Sequence, residues 1–252
     1  MKERLRNLVK HHRFLLVIAM PILSCSRKCN EAIWRPIRPL VLRHYLKSHE
    51  VRKLHIGAGS KVLPGWLNTD RSSSLRGVVF LDATKRFPLR AASMDYIYSH
   101  HVIEHLTYQQ GQLMLRECFR VLKPGGSIRT ATPDLETLAT LYTPEKNSLQ
   151  QRYIHWVVDK FNPRIHVYSE CVVLNSAFTN FDHQFLYDYT MLEATLEKAG
   201  FAAIARCGVG KSDNEVFRGI EGRAAGDDEE DEEMMRFETM AVEATRPPSG
   251  AS

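Results

Sequence analysis

From residue 51 onward the chain alternates short apolar runs with longer amphipathic stretches, and turn residues mark each change of period. Residues 51–56 form an apolar run that stops at Gly57, the pattern of a buried strand entering a tight turn. Further runs of strand length stand at residues 66–69, 78–81 and 94–98. Residues 108–122 change to a helical period: Leu115, Phe119 and Leu122 share a face with Met114 and Cys118, leaving Arg116, Glu117 and Arg120 for water. Lys123, Pro124, Gly125 and Gly126 end that helix, because proline cannot extend the hydrogen-bond ladder and glycine accepts the positive φ of a turn. A strand resumes over residues 127–131. Strand, crossover helix and strand in this order predict parallel pairing, with helices on both faces of a sheet.

Beyond residue 133 a mostly helical stretch, interrupted by Pro144, runs to residue 159 and gives way to a polar irregular region ending near residue 188. Residues 134–188 thus read as a helical insertion before the sixth strand. Thr190 and Glu193 suggest a capping box, Leu192, Leu196 and Ala199 one buried face, and Gly200 a helix stop feeding a strand at residues 201–206. Residues 237–242 form a last apolar strand. The predicted organisation is a basic, helical N-terminal extension over residues 1–50, broken by the segment from Trp34 to Pro39, then one domain over residues 51–245 and a disordered tail over residues 246–252.

With 252 residues, 44% hydrophobic and 25% charged, the chain can bury a sizeable core. Its net charge of +5 is unevenly spread. Lys and Arg crowd the first fifty residues, where they interleave with apolar positions as in an amphipathic helix, while Asp227 to Glu233 is an unbroken acidic run expected to form a solvated loop within residues 222–233. Five scattered cysteines argue against a disulfide framework and for a reducing, cytoplasmic setting. Cys25 and Cys29 are close, but no second Cys or His pair stands at zinc-ligand spacing, so no metal is expected. The apolar stretch of residues 14–23 follows several basic residues in the manner of a secretory signal, yet at about ten residues it cannot span a bilayer. It reads as a packing or amphipathic helix, with peripheral membrane contact as the other reading; oligomeric state is not legible.

Candidate chemistry starts at Gly57-Ala58-Gly59, where glycine lets backbone approach a ligand, and at Asp70, a strand-tip acid that can accept from two ribose hydroxyls. Asp82, in Leu81-Asp82-Ala83, and the block from Asp95 to Leu106 follow in order. With Glu104-His105-Leu106 and Leu122-Lys123-Pro124-Gly125-Gly126, this order resembles the class I S-adenosylmethionine-dependent methyltransferases, the small-molecule methyltransferase domain in particular, over roughly residues 51–131. The resemblance implies an α/β, Rossmann-like fold with a mostly parallel seven-stranded sheet, and S-adenosyl-L-methionine as cofactor. It places Gly57, Ala58 and Gly59 under the methionyl part, Asp70 on the ribose, Asp82 at the adenine amino group with Ala83 beside the ring, and Ser99 and His100 along the methionyl end. Two positions depart from that pattern: His55 stands where an acid is common, and Val62 where a longer loop has its third glycine. Val62 equally argues against a nicotinamide-dinucleotide turn.

Methyl transfer depends mainly on alignment and exclusion of water, and a hydroxyl acceptor must also lose a proton, a task suited to histidine. His183 in the insertion is the first candidate, with His101 and His105 after it; each also has a purely structural reading, as does Tyr187. The expected acceptor is a small molecule, a lipid-linked intermediate or a sugar unit. A catalytically silent binding or scaffold protein is the alternative. Nucleic acid is not expected, since the basic segment has few aromatics for base stacking and no base-methylating signature follows. Gly208 to Ser212 lacks the first glycine of a phosphate loop and reads as a turn.

Overall fold

The computed structural model describes residues 27–72, 77–222 and 228–250. After helix α1 (Arg27–Ser48) come strands β1 (Lys53–Ile56), β2 (Leu67–Asp70), β3 (Val79–Phe80) and β4 (Met94–His100), helix α2 (Tyr108–Val121) and strand β5 (Leu122–Pro133). The inserted region holds α3 (Leu135–Ala139), α4 (Ser148–Phe161) and α5 (Glu170–Thr179). It is followed by α6 (Tyr189–Ala199), β6 (Ala202–Cys207), α7 (Glu229–Glu238) and β7 (Thr239–Thr245). The strands form one seven-stranded sheet in the order β3-β2-β1-β4-β5-β7-β6. The pairings from β3 to β5 are parallel, and β7 runs antiparallel to both β5 and β6. The mostly parallel α/β sheet predicted from the sequence is therefore present, its carboxyl ends level where Ile56 pairs with both Thr69 and Ser99.

Period-two alternation sorts the strand residues onto two faces. Leu54, Ile56, Met94 and Ile97 join the main core with Leu42 and Tyr45 of α1, Met114, Leu115 and Cys118 of α2, and Leu192 and Leu196 of α6. Each such side chain, fully buried, stabilises the fold by about 1.5–3 kcal/mol. On the opposite face Trp66, Tyr98, Phe217 and Ile220 form a second cluster, so the segment of residues 208–222, rather than a helix, covers this part of the sheet. The Tyr98 ring stacks on His55 at 5.1 Å.

Several sequence expectations need correction. Helix α1 continues through Pro36 and Pro39 instead of breaking there. Two ladder donors are lost, but Trp34, Val41 and Leu42 all pack on the main core, so tertiary contact outweighs the missing bonds. The supposedly irregular stretch before residue 188 contains α5, capped by the Ser169 side chain. Helix α6 starts two residues earlier than a Thr190–Glu193 box would place it: the Asp188 carboxylate accepts from Met191 N at 2.7 Å, and Gly200 ends the helix at φ 101°. Glu117 is buried rather than solvated, accepting from Phe87 N at 2.7 Å and pairing with Arg120.

The acidic run is the largest difference. Residues 223–227 lie outside the described residues, but from Glu229 on the run is helical. Asp228 caps α7 by accepting from Asp231 N at 2.8 Å, and acids in the first turn suit the positive end of the helix dipole. Helix α4 supplies the countercharges: Arg152 binds Glu233 through two bonds of 2.7 Å, while Lys160 and the Trp156 indole bind Asp231. The chain is still held at Arg246, whose backbone N donates to Gly126 O at 2.9 Å. Residues 1–26, including Cys25 and the apolar stretch compared with a secretory signal, lie outside the described residues; no described helix is long and apolar enough to cross a membrane.

His55, the position where an acid is common in the sequence pattern noted above, is a packing residue. It is 1% exposed, donates from Nδ1 to Asn68 Oδ1 at 3.0 Å, and burial pushes its pKa down to about 4. An unfolded histidine titrates near 6.5, so the stability it contributes is complete above that value and lost as pH falls from 6.5 toward 4, by about 3 kcal/mol. Denaturant unfolding should therefore show wild type losing stability more steeply over this window than His55→Gln. Parallel pH profiles for the two proteins would contradict the assignment.

Candidate active site

The turn after β1 is built for close approach. Gly57 adopts φ 72°, and a Cβ there would lie 2.1 Å from Val102 Cγ2, so both the backbone conformation and the space require glycine. Ala58 N donates to Thr69 O at 2.9 Å, tying the turn to β2. Asp70, at the tip of β2, accepts from Gly59 N at 2.9 Å and from Ser72 N at 2.6 Å. A carboxylate has about four acceptor directions, so two remain after these bonds.

The end of β4 supplies the histidines. His101 follows it at φ 50°, a left-handed conformation that L-residues rarely adopt, with its N donating to Ala131 O at 2.9 Å. The next turn carries Glu104, fully buried, whose Oε2 accepts from Thr132 Oγ1 at 3.0 Å. His101 Nδ1 lies 3.1 Å from Glu104 Oε1. That oxygen accepts no aligned hydrogen bond, so charge attraction is what joins the pair. Burial opposes charge on His101, but the Glu104 contact and the charges of Glu104 and Glu238 outweigh it and raise the pKa. His100, by contrast, is held well below 6.5 by burial and by the positive groups around it, His101 and Lys61 among them.

Backbone bonds bring the insertion to this point. Gln184 N and Phe185 N both donate to the Glu104 carbonyl, at 2.7 and 3.2 Å, which sets His183 against His105 with ring centres 4.8 Å apart. His183 Nδ1 donates to Ala177 O at 2.6 Å, leaving Nε2 with a free lone pair. Burial lowers the His183 pKa despite that bond. Phe181 and Asp182, just before it, also have positive φ, at 62° and 59°.

A cavity of 410 Å³ reaches from the glycine turn to the insertion. Of the residues singled out in the sequence, Gly57, Ala58, Gly59, His100, His101, His105 and His183 line it. Asp70, Asp82, Ala83 and Ser99 do not. Asp82 lies beyond β3, accepting from Thr84 N at 3.0 Å and Thr84 Oγ1 at 2.6 Å; burial opposes its charge, yet these bonds with Arg71 and Lys85 hold its pKa below the usual range. Ala83 belongs to the main core, and buried Ser99 donates to Thr130 Oγ1 at 3.4 Å. Tyr187 is fully buried in the same core. Gly208 to Ser212 is a turn whose Gly208 and Lys211 carbonyls accept from buried Arg129, consistent with rejection of a phosphate loop.

Hydrophobic pattern carried no sign of the opposite wall. Tyr153, Trp156 and Phe161 of α4 form it, with Val173 of α5 and Phe181. Their helical spacing was visible in the sequence, but not that the face looks into a cavity. Glu238, at the end of α7, also lines it; burial raises its carboxyl pKa, and it accepts a hydrogen bond from Tyr153 Oη. No local signal predicts that pairing, since the two residues are far apart in the chain.

A glycine turn and a strand-tip acid stand at the carboxyl ends of parallel strands, where open α/β sheets bind ligands, and the turn lines the cavity. Residues 57–130 match the sequence model of a methyltransferase domain. A probable S-adenosylmethionine-dependent methyltransferase of Mycolicibacterium smegmatis is 46% identical over 52 residues, 21% of this chain and 20% of that protein. The chain thus spans about a fifth of the length of the curated relative it matches. A Thermotoga maritima structure described as an S-adenosylmethionine-dependent methyltransferase, possible histamine N-methyltransferase, aligns at 18% identity over 80% of this chain and 87% of its own, with a TM-score of 0.46. An Archaeoglobus fulgidus methyltransferase aligns at 16% identity over 91% and 98%, with a TM-score of 0.44.

Gly57→Ala should destabilise the protein by about 2–4 kcal/mol, combining a left-handed alanine with a clash against Val102. In chemical denaturation the double variant Gly57→Ala, Val102→Ala should cost at least about 1 kcal/mol less than the sum of the single changes. Simple additivity would show that the clash is not the cause.

Proposed function

We propose that this protein transfers a methyl group from S-adenosylmethionine to a small acceptor with an apolar body. The observation that carries this reading is the continuity of one cavity, from the glycine turn at residues 57–59 to His105 and His183, between largely apolar walls. When bound, S-adenosylmethionine supplies an electrophilic methyl group on a positively charged sulfur. The turn backbone holds the methionyl end, while Asp70 accepts from the ribose hydroxyls through the oxygen directions that Gly59 and Ser72 leave free. Asp82, kept ionised, stands one strand further out for the adenine amino group.

On the acceptor side, Trp156, Phe161, Val173 and Phe181 enclose the substrate and exclude water. Walls of this kind favour a lipid-linked or otherwise apolar acceptor over a free sugar, whose hydroxyls would be buried without partners. His183 activates the acceptor: its ring lines the cavity, its pKa is lowered by burial, and its Nε2 lone pair is free because Nδ1 is engaged by Ala177 O. His101, paired with Glu104, serves to hold that carboxylate.

Calorimetry with S-adenosylmethionine and S-adenosylhomocysteine tests the reading directly. Binding of both is expected; a folded protein that binds neither is a scaffold, not a transferase. Asp70→Ala should weaken binding about 10- to 100-fold, the loss of hydrogen bonds to a charged group, with stability lowered by only about 1 kcal/mol. Wild-type affinity in that variant would remove Asp70 from the ribose site. His183→Ala should keep cofactor affinity and lower turnover about 10²- to 10⁴-fold. Unchanged turnover would show that His183 only supports the wall.

A further inference from the structure

We infer that Glu104, His105 and His183 form a binding site for one divalent transition-metal ion at the inner end of the cavity. One carboxylate oxygen of Glu104 and one ring nitrogen from each histidine already lie within 4.8 Å of one another. Bonds of about 2.1 Å to a common ion require donors about 3.4 Å apart, so the widest pair needs to close by up to about 1.4 Å, within reach of side-chain rotations.

The surroundings of each donor fit ligation better than mutual packing. Glu104 Oε2 is fixed by Thr132, while Oε1 is buried, accepts no aligned hydrogen bond and lies 3.1 Å from His101 Nδ1. With one hydrogen bond and one ion pair, this buried carboxylate still has acceptor directions open to a further cation. His101 is itself tethered elsewhere, with Nε2 3.2 Å from Thr239 Oγ1. His183 has the usual arrangement of a ligating imidazole: Nδ1 is anchored on a backbone carbonyl, which fixes the tautomer and presents Nε2 as a lone pair. Finally, the bonds from Gln184 N and Phe185 N to Glu104 O lock the two ligand-bearing segments together, so the site is largely organised before any ion enters.

Two imidazoles and one carboxylate select a borderline ion such as Zn²⁺, Fe²⁺ or Co²⁺ over Mg²⁺, which prefers oxygen ligands. Three protein donors leave coordination positions open toward the cavity, since His105 and His183 both line it. Such an ion would hold the acceptor through an oxygen or nitrogen atom and make a bound hydroxyl easier to ionise. The inference rests on reading this cavity as the acceptor site and deepens it: His183 acts on the acceptor through the ion it holds.

Metal binding is measured without cofactor or acceptor, so its outcome is separate from that of the methyl-transfer reading. Chelator-treated full-length protein is titrated with Co²⁺, following its visible d–d absorption, and with Zn²⁺ by calorimetry. One equivalent of each should bind with micromolar affinity. His183→Ala and His105→Ala should each weaken binding at least about tenfold while circular dichroism stays unchanged. Glu104→Gln should behave like the histidine variants if it folds; the histidine pair decides the matter if it does not. Absence of binding up to about 1 mM ion, or equal affinity in wild type, His105→Ala and His183→Ala, would overturn the site and leave His183 as a direct base.

Discussion

One buried residue, Glu104, ties the functional end of this molecule together. Its side chain meets Thr132 on β5 and His101 after β4, while its carbonyl accepts both Gln184 N and Phe185 N from the insertion. Sheet and insertion are thus joined through a single position, and the distance between His105 and His183 follows from it. A carboxylate removed from water costs several kcal/mol unless charge and hydrogen bonds meet it. The dense set of partners around Glu104 is the physical answer to that cost.

The wall facing the sheet is maintained by charge in a similar way. Helix α7 is strongly acidic, and it stays folded against α4 because Arg152, Lys160 and the Trp156 indole neutralise or bond its carboxylates. Tyr153 and Glu238 continue that contact to the cavity surface. Across the sheet, fully buried Arg129 pairs with Glu221 and Glu243 and donates to the Gly208 and Lys211 carbonyls, holding the segment of residues 208–222 over Tyr98 and Trp66. Glu221 also borders the cavity, so the network that positions this segment helps shape the site.

Three of the non-glycine residues with positive φ, His101, Phe181 and Asp182, also fall at this place. Gly57 at the turn, His101 after β4, and Phe181 with Asp182 ahead of His183 all have positive φ, and each lines the cavity or flanks a residue that does. Conformations that cost about 1–3 kcal/mol at non-glycine residues persist only when surrounding bonds fix them, as the Ala131 carbonyl does for His101. The result is a set of rings held at defined angles against apolar helices.

The sheet was legible in the sequence because its signals are local. Apolar runs ending on Gly57 and Asp70, the period change over residues 108–122, and Gly200 at a helix end depend on neighbours a few residues apart. The glycine turn and the imidazoles of His100, His101, His105 and His183 were legible for the same reason, as reactive residue types beside strand ends or in an insertion. What the sequence could not show is which residues meet across it. The grouping of Glu104 with His105 and His183, the aromatic wall of α4, the pairing of Tyr153 with Glu238, and the helix in the acidic run all rest on contacts between distant segments. Local pattern determined the strands, their parallel order and the glycine turn; tertiary packing alone decided the shape of the cavity and the partners of its charges, because hydrogen bonds and ion pairs depend on distance in space, not on separation along the chain.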